Sequence, residues 1–576
     1  MNKLYPVYTL KNECHDCYKC VRECHIKAIK VQDGSASVIN DKCIACGHCV
    51  KVCPSGAKKV RNDIDKVKTL FTAQKQVYVS LAPSWAGIYD LTPAQMVAVL
   101  KKLGFYAVSE TALGAQQVSI KTAEMLNNGE SGLYISSACP VIVDYIRYYK
   151  PEFAKYITPL ASPALTHAKI LKEKYGDKIS IVFIGPCIGK KNEADSNPDF
   201  IDAALTFEEL NYWISEEFIN ISEIEINNND KFVPEEAFEG ALYPVEGGMN
   251  ETIKEVGVNE DVTLVKISGL ENFDNFVEGL NTNSLNNKVF VEALSCETGC
   301  INGPCIANKK AGLSITTDIL SKIKHRDKIP TVAETVFKKE YASKPIIEDD
   351  IKFADITNAL KKIGKHTPED ELNCGGCGYS TCRDMAKALI SGDAEPSMCI
   401  SYMRKIAMRK AAAMLRCMPS AIVMVDKELN IVEANDAFMK MFCGDMYDIF
   451  ASRKEGLSGA SLDRIISFSD IFSQLLKSGG DIHKSHYQVK NKLYDISAFT
   501  IEDGEIVGAV ITDVTKAEID REKIAAKARE VITKNITKVQ EIACLLGEHM
   551  VETEVLLNSI AEDYSNDNSD NDGEEL

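Results

Sequence analysis

The chain has 576 residues, 45% of them apolar and 26% charged, and a formal net charge of −17. That length calls for several domains, since one core rarely grows past roughly 250 to 300 residues, and the acidic balance argues against nucleic acid as a partner. No run approaches the ~18 apolar residues that cross a bilayer, and the N-terminus lacks the apolar stretch of a secretory signal, so a soluble protein of the reducing cytoplasm, with no membrane contact and no disulfides, is expected.

Of the 20 cysteines, all but Cys305, Cys417, Cys443 and Cys544 fall into spaced groups. Within 1–65, Cys14, Cys17, Cys20 and Cys24 are repeated in spacing by Cys43, Cys46, Cys49 and Cys53. This is the two-cluster ferredoxin pattern, in which three close cysteines hold one 4Fe-4S cube and the fourth crosses to the other. Cys14, Cys17, Cys20 and Cys53 are therefore assigned to one cube, and Cys43, Cys46, Cys49 and Cys24 to the second.

From 66 to 355 the pattern becomes buried strands, such as 76–81, 179–184 and 288–293, separated by helical segments such as 93–102, which predicts an α/β domain with a largely parallel sheet. Three loops after such strands carry cysteines: Cys139 in SSACP, Cys187 in GPCIGKKNE, and Cys296 and Cys300 in EALSCETGC. Ligands gathered at the carboxyl ends of parallel strands are placed where open α/β sheets bind. Four thiolates from three loops are read as one composite metal site.

These loops resemble the three signatures of the FeFe-hydrogenase catalytic domain, roughly TSCCPxW, MPCxxKxxE and ExMxCxxGC. The resemblance, ferredoxin module included, covers about residues 1–355. It implies that Cys139, Cys187, Cys296 and Cys300 hold the cube of an H-cluster. That cofactor joins a 4Fe-4S cube to a diiron subcluster bearing CO, CN and a bridging dithiolate, and Cys300 would bridge the two parts. It also implies that Lys190 hydrogen-bonds a cyanide and that Ala82, Pro83 and Ser84 contact the diatomic ligands. Its activity would be reversible oxidation of dihydrogen to protons and electrons, with a ferredoxin or similar redox partner and FeFe-hydrogenase maturation proteins to load the diiron unit. Departures matter equally. Ala138 stands where productive members have the proton-relaying cysteine, and Gly185 and Leu294 replace methionines, which resembles the sensory, PAS-containing group C-like subtype and its slow turnover. For the proton route, the helix containing 115–124 offers only Lys121 and Thr122 where acids are usual, and Glu246 and Glu251 are alternatives.

Residues 356–411 carry Cys374, Cys377, Cys382 and Cys399, a spacing that resembles a small 4Fe-4S domain, which makes three accessory 4Fe-4S clusters in all; zinc is the alternative. Residues 412–515 read as strand, turn, strand, an Asn435-led helical segment and three more strands, and resemble a PAS domain; His483 and His486 are read as solvated strand residues. In 516–560 apolar residues at Ile532, Ile536, Val539, Ala543, Leu546, Met550 and Leu557 follow steps of four and three, a coiled-coil-type signalling helix suited to a homodimer. Residues 561–576 hold seven acids and no Lys or Arg and are expected to be a disordered tail. The fold class is thus multidomain α/β and α+β: two-cluster ferredoxin module, H-cluster domain, small 4Fe-4S domain, PAS domain and C-terminal helix. With no kinase or DNA-binding segment in view, the output would act on an unidentified signalling protein. The rival readings are a metabolic ferredoxin-dependent hydrogenase and a non-enzymatic iron-sulfur assembly protein.

Overall fold

The computed structural model describes residues 5–73, 75–282, 285–306, 312–323, 337–347, 350–453 and 456–566. Two compact units divide the chain, Met1–Met403 and Arg404–Leu576. Among the described residues no helix is long and apolar enough to cross a membrane.

The N-terminal module is duplicated in structure as in sequence. Strand Val7–Thr9 pairs antiparallel with Lys58–Val60, and Ile29–Gln32 with Ser35–Val38. Positive φ recurs at matched positions of the repeats: Asp16 and Ala45, Tyr18 and Gly47, Lys27 and Gly56. Left-handed residues spaced along a tight loop turn successive N–H groups inward, the backbone form that receives sulfide and thiolate.

The next domain departs from the single parallel sheet that the strand pattern suggested. Among its described residues are two sheets, both wholly parallel. One orders Ala107–Glu110, Val77–Leu81, Ser180–Gly185 and Ala203–Thr206; the other orders Val262–Ser268, Lys288–Leu294 and Gly132–Ile135. Val77–Leu81 and Ser180–Gly185 are buried at every position, as strands covered by helices on both faces must be. A buried ionic strap fixes the N-terminal module to this domain: Arg61 holds Asp63 and Asp195, and the fully buried Lys191 bonds Asp63 and Glu209 at 2.9 Å each. Lys191, read in sequence only as a motif neighbour, is thus structural. So is His25, whose Nε2 lies 2.6 Å from Asp274.

The C-terminal unit has a five-stranded antiparallel sheet in the order Ile431–Ala434, Ala421–Asp426, Ile506–Asp513, Lys492–Glu502, Asp481–Val489. Its core packs Phe438, Phe468, Phe472 and Tyr494 under the sheet. Asn435 caps the helix Asp436–Phe442 by accepting from Phe438 N at 3.0 Å and ties it to the sheet by accepting from Ile422 N at 2.9 Å. His483 and His486 are exposed on the Asp481–Val489 strand, bonded to Ser497 and Glu518. The last helix, Thr515–Asn566, is exposed at every residue from 519 to 562. It overturns part of the expected disordered tail: 561–566 continue the helix, because an established helix extends one hydrogen bond per residue at little cost. Residues 567–576 lie outside the described residues. Helix Ile400–Cys417 runs unbroken across the boundary expected at 411.

Candidate functional site

The loops that close each sheet deliver the composite site. Cys139 follows Gly132–Ile135 and precedes helix Pro140–Tyr149; Cys187 follows Ser180–Gly185 and precedes Gly189–Ser196; Cys296 follows Lys288–Leu294. Gly299, at φ +101, sets the approach of Cys300: a Cβ there would stand 2.4 Å from Pro244 O, so only glycine makes the turn. The four thiols come together. Burial raises the Cys300 thiol well above its usual range, and Cys296, Cys139 and Cys187 raise it further. Burial likewise pushes Cys187 up to about 11. Ser295 Oγ links two of the loops, 3.7 Å from Cys139 Sγ and 3.9 Å from Cys296 Sγ. Buried thiols that repel one another as thiolates call for a cationic centre in their midst. Among the described residues no three His, Cys, Asp or Glu side chains gather around a single ion; ligands of a cube bind separate irons and stand farther apart.

Around the thiols lie the donors that the diiron unit of an H-cluster would require. Lys190 Nζ donates to Glu193 Oε2 at 2.7 Å and Ser162 Oγ at 3.3 Å, leaving an ammonium N–H to spare. Its positive charge reaches both Cys187 and Cys300. Ala82 N donates to Ile184 O at 2.8 Å, and the Cβ that Gly185 lacks would fall 2.7 Å from Ala82 Cβ, so the 82–84 loop is held directly against the Cys187 loop. The Ser84 hydroxyl on that loop is buried without a hydrogen-bond partner. A spare ammonium N–H and a partnerless hydroxyl suit anionic acceptor ligands, so the residues present fit the group.

At the expected proton route the site differs. Ala138 packs beside an apolar cluster that includes Val118, Met249 and Phe290. Its neighbour Ser136 spends its hydroxyl proton on Met249 Sδ at 3.2 Å, a sulfur that relays nothing further. Lys121 pairs with Glu124 at the surface, Thr122 donates to Val118 O, and Glu251 pairs with Lys254 in solvent, so none of these continues a path inward. Ser119 bonds Tyr243, and Gln116 bonds the fully buried Glu239.

Glu292, quoted in the third loop but given no role by sequence, is the unexpected acid. It is 2% exposed and accepts Gly247 N at 3.1 Å and Asn250 N at 2.9 Å, capping helix Gly248–Val256. Burial pushes its pKa up to about 7 although those N–H groups favour its charged form, and Glu246 adds repulsion. A carboxyl raised in the folded state binds its proton more tightly there than when unfolded. The stabilisation is present below about pH 4.5 and declines as pH rises to about 7, by about 3 kcal/mol. Glu292→Gln is expected to flatten that slope. Trp85 and Trp213, the chain's two tryptophans, both lie in this domain, so denaturant unfolding followed by their fluorescence from pH 5 to 8 reads it.

Cys53, Cys14 and Cys17 act on Cys20, while Cys24 acts on Cys43, Cys46 and Cys49. Cys374, Cys377, Cys382 and Cys399 line one cavity, where the buried Lys365 bonds Ser401 at 2.8 Å. Cys305 is fully buried beside Ile188 and Ala45.

Known proteins agree with these parts. Residues 75–304 match the family of the C-terminal domain of the iron only hydrogenase large chain, 6–54 the 4Fe-4S dicluster domain and 370–401 a putative Fe-S cluster family. The chain is 27% identical over 272 residues to the NADP-reducing hydrogenase subunit HndD of Solidesulfovibrio fructosivorans, spanning 40% of this chain and 46% of that relative. It is 25% identical over 337 residues to a probable cytosolic Fe-S cluster assembly factor of Drosophila persimilis, 45% of this chain and 70% of the other. A variant of FeFe-hydrogenase HydA1 from Chlamydomonas reinhardtii aligns at 18% identity over 48% of this chain and 91% of its own, with a TM-score of 0.35. By the families its segments match, the chain is a hydrogenase-like iron-sulfur protein, its α/β domain similar to that hydrogenase domain and preceded by a ferredoxin-type module.

Proposed function

We propose that this hydrogenase-like iron-sulfur protein carries an H-cluster and oxidises dihydrogen slowly and reversibly, as a sensor of the cytoplasm rather than a metabolic catalyst. In this reading Cys139, Cys187, Cys296 and Cys300 would hold the cube, and Cys300 would also serve as a ligand of the diiron unit. That unit, when bound, supplies an open iron position for dihydrogen and a basic amine for the proton. The chain's own part is placement and exclusion. Glu193 and Ser162 hold Lys190 so that its remaining N–H meets an anionic ligand, Ser84 offers a second donor, and the apolar packing at Ala138 withholds a proton exit. The observation that carries the reading is a pair of donors with capacity to spare, the buried Ser84 hydroxyl and the half-buried Lys190 N–H, on touching loops beside four cysteines, Cys139 buried and Cys187, Cys296 and Cys300 half-buried.

A second reading is favoured by the assembly-factor relative: a cube-binding protein with no diiron unit and no hydrogen chemistry. One measurement separates the two. After expression with hydrogenase maturation enzymes, infrared bands of iron-bound carbonyl and cyanide are expected; iron sufficient for four cubes without those bands would leave the assembly reading standing.

Low turnover is attributed to more than the missing thiol. Because the Ser136 hydroxyl donates its hydrogen bond to Met249 Sδ and apolar side chains pack beside Ala138, Ala138→Cys is expected to alter the centre's protonated states yet leave turnover within about tenfold of the parent, or ~1.4 kcal/mol of barrier. Dye-coupled hydrogen oxidation reads this, and a rise of roughly a hundredfold would show that an intact relay was waiting for one group.

The sensor assignment rests on domain order. Electrons would pass through the accessory clusters toward the PAS-like unit and bias its contact with a separate signalling protein. The exposed apolar seam of Thr515–Asn566, with Ile532, Ile536 and Leu546 each more than half exposed, suits a second copy of the chain. Ending the chain after Ala411 is expected to keep the composite site but to weaken self-association, read by sedimentation; an equally tight dimer would exclude the helix as the contact.

A further inference from the structure

We propose that Lys27 is a cation shared by two iron-sulfur centres, that of Cys24 and that of Cys377, and that the Cys24 centre is the junction through which electrons reach the 374–399 centre. The proposal rests on the cluster assignments above. It concerns a docking that no spacing rule foretells.

The 374–399 segment is built into the N-terminal module. Val21, Ile29 and Val31 share one core with Leu360, Met385 and Met398. Val31 N donates to Asp393 O at 3.0 Å, Asp33 N to Glu395 Oε1 at 2.7 Å, and Lys42 Nζ lies 2.8 Å from Asp393. At the centre of this contact stands Gly378, at φ +95. A Cβ there would sit 2.9 Å from Val21 Cγ1 and 3.1 Å from Arg22 N, so the loop of Cys377 presses on the Val21–Arg22 peptide. The same stretch of backbone holds Lys27, whose Nζ donates to Arg22 O at 3.0 Å and Val21 O at 3.4 Å. Half-buried and pinned on the peptide that the Cys377 loop presses, that ammonium favours the charged form of Cys24 and lies within electrostatic reach of Cys377, with Glu23 beside it. The Cys24 group also faces the composite site: Cys46 acts on Cys296, and Gly47 lies so close to Ile188 and Pro304 that a Cβ would fall 2.5 Å from one and 2.7 Å from the other. The Cys14 group approaches the 374–399 segment as well, through Tyr18 and Ser397, and is the competing route.

Each dihydrogen oxidised yields two protons and two electrons, while a cube takes one electron at a time. The Cys24 and Cys377 centres together accept both, and a cation between them stabilises each added negative charge. Removing that cation lowers the potential of both centres and of no other.

The test uses the full chain with its cubes reconstituted and no diiron unit, titrated by potential and followed by electron paramagnetic resonance. In Lys27→Gln two midpoint potentials are expected to move negative, one of them belonging to the signal that Cys374→Ser with Cys377→Ser deletes; Lys27→Arg restores both. A shift in one centre only, or in all together, overturns the shared charge. Independently of Lys27, the magnetic broadening between reduced centres should diminish when Cys374 and Cys377 are replaced and persist for that pair when Cys14 and Cys17 are. Loss of the pair's broadening in the second variant would make the Cys14 group the junction. A reconstituted parent holding far fewer than about 16 irons would instead refute the cluster assignments themselves.

Discussion

Cys300→Ser is expected to abolish the carbonyl and cyanide infrared bands and to lower hydrogen-dependent dye reduction at least a thousandfold, ~4 kcal/mol of barrier or more. A thiolate sulfur retains lone pairs after binding one iron and can bind a second, whereas a serine oxygen is a harder donor that stays protonated near neutral pH and has a shorter reach. The backbone cannot compensate, because Gly299 and Pro244 O leave this loop one path. The accessory centres lie on other loops and should keep their resonance signals. Replacing Cys374 and Cys377 is the contrasting case: one cube disappears and hydrogen oxidation remains measurable. Infrared bands that survive Cys300→Ser would remove Cys300 from the bridge.

What the sequence disclosed was whatever chemistry had imposed on local spacing. Cube ligands must recur at fixed intervals, so Cys14 through Cys53 could be paired before any fold was known, and the matched positive φ at Asp16 and Ala45 repeats that regularity in the backbone. Strands that end in a cysteine loop were likewise visible, because a strand buried on both faces is a continuous apolar run. The partition into two sheets was not visible. Gly132–Ile135 pairs with Lys288–Leu294, roughly 155 residues onward, and nothing in either segment states which partner it will meet. The same holds for Lys191 and Glu292: a charge inside a motif reads as chemistry, and only tertiary placement reveals that one is a strap and the other a cap. Lys27 is hidden for a third reason, since its meaning depends on a loop that arrives from more than 300 residues away.

Gly185→Met, the residue found in the resembling signature, is expected to destabilise the α/β domain by ~3 kcal/mol and to displace the 82–84 loop. Position 185 has no room: a Cβ would fall 2.7 Å from Ala82 Cβ and 2.8 Å from Phe183 Cε1 and Cζ, well inside contact, in a strand buried at every residue. Overfilling a packed site costs about 1 to 3 kcal/mol, more where the backbone must yield. The Phe183 ring therefore occupies space that a methionine at 185 would otherwise take. Phe183→Ala alone should also destabilise, by ~3 kcal/mol, through the cavity it leaves. Combining the two should recover at least ~1 kcal/mol of the summed loss, the coupling expected of neighbours that share a volume. Fluorescence-monitored unfolding of the four proteins completes the cycle. Because the Ala82 amide is anchored on Ile184 O next to this glycine, the single Gly185→Met change should also shift the cyanide bands, and the double variant should return them toward the parent. Strict additivity would mean that Phe183 and Gly185 do not compete for one space, and that the absence of methionine here has a cause other than packing.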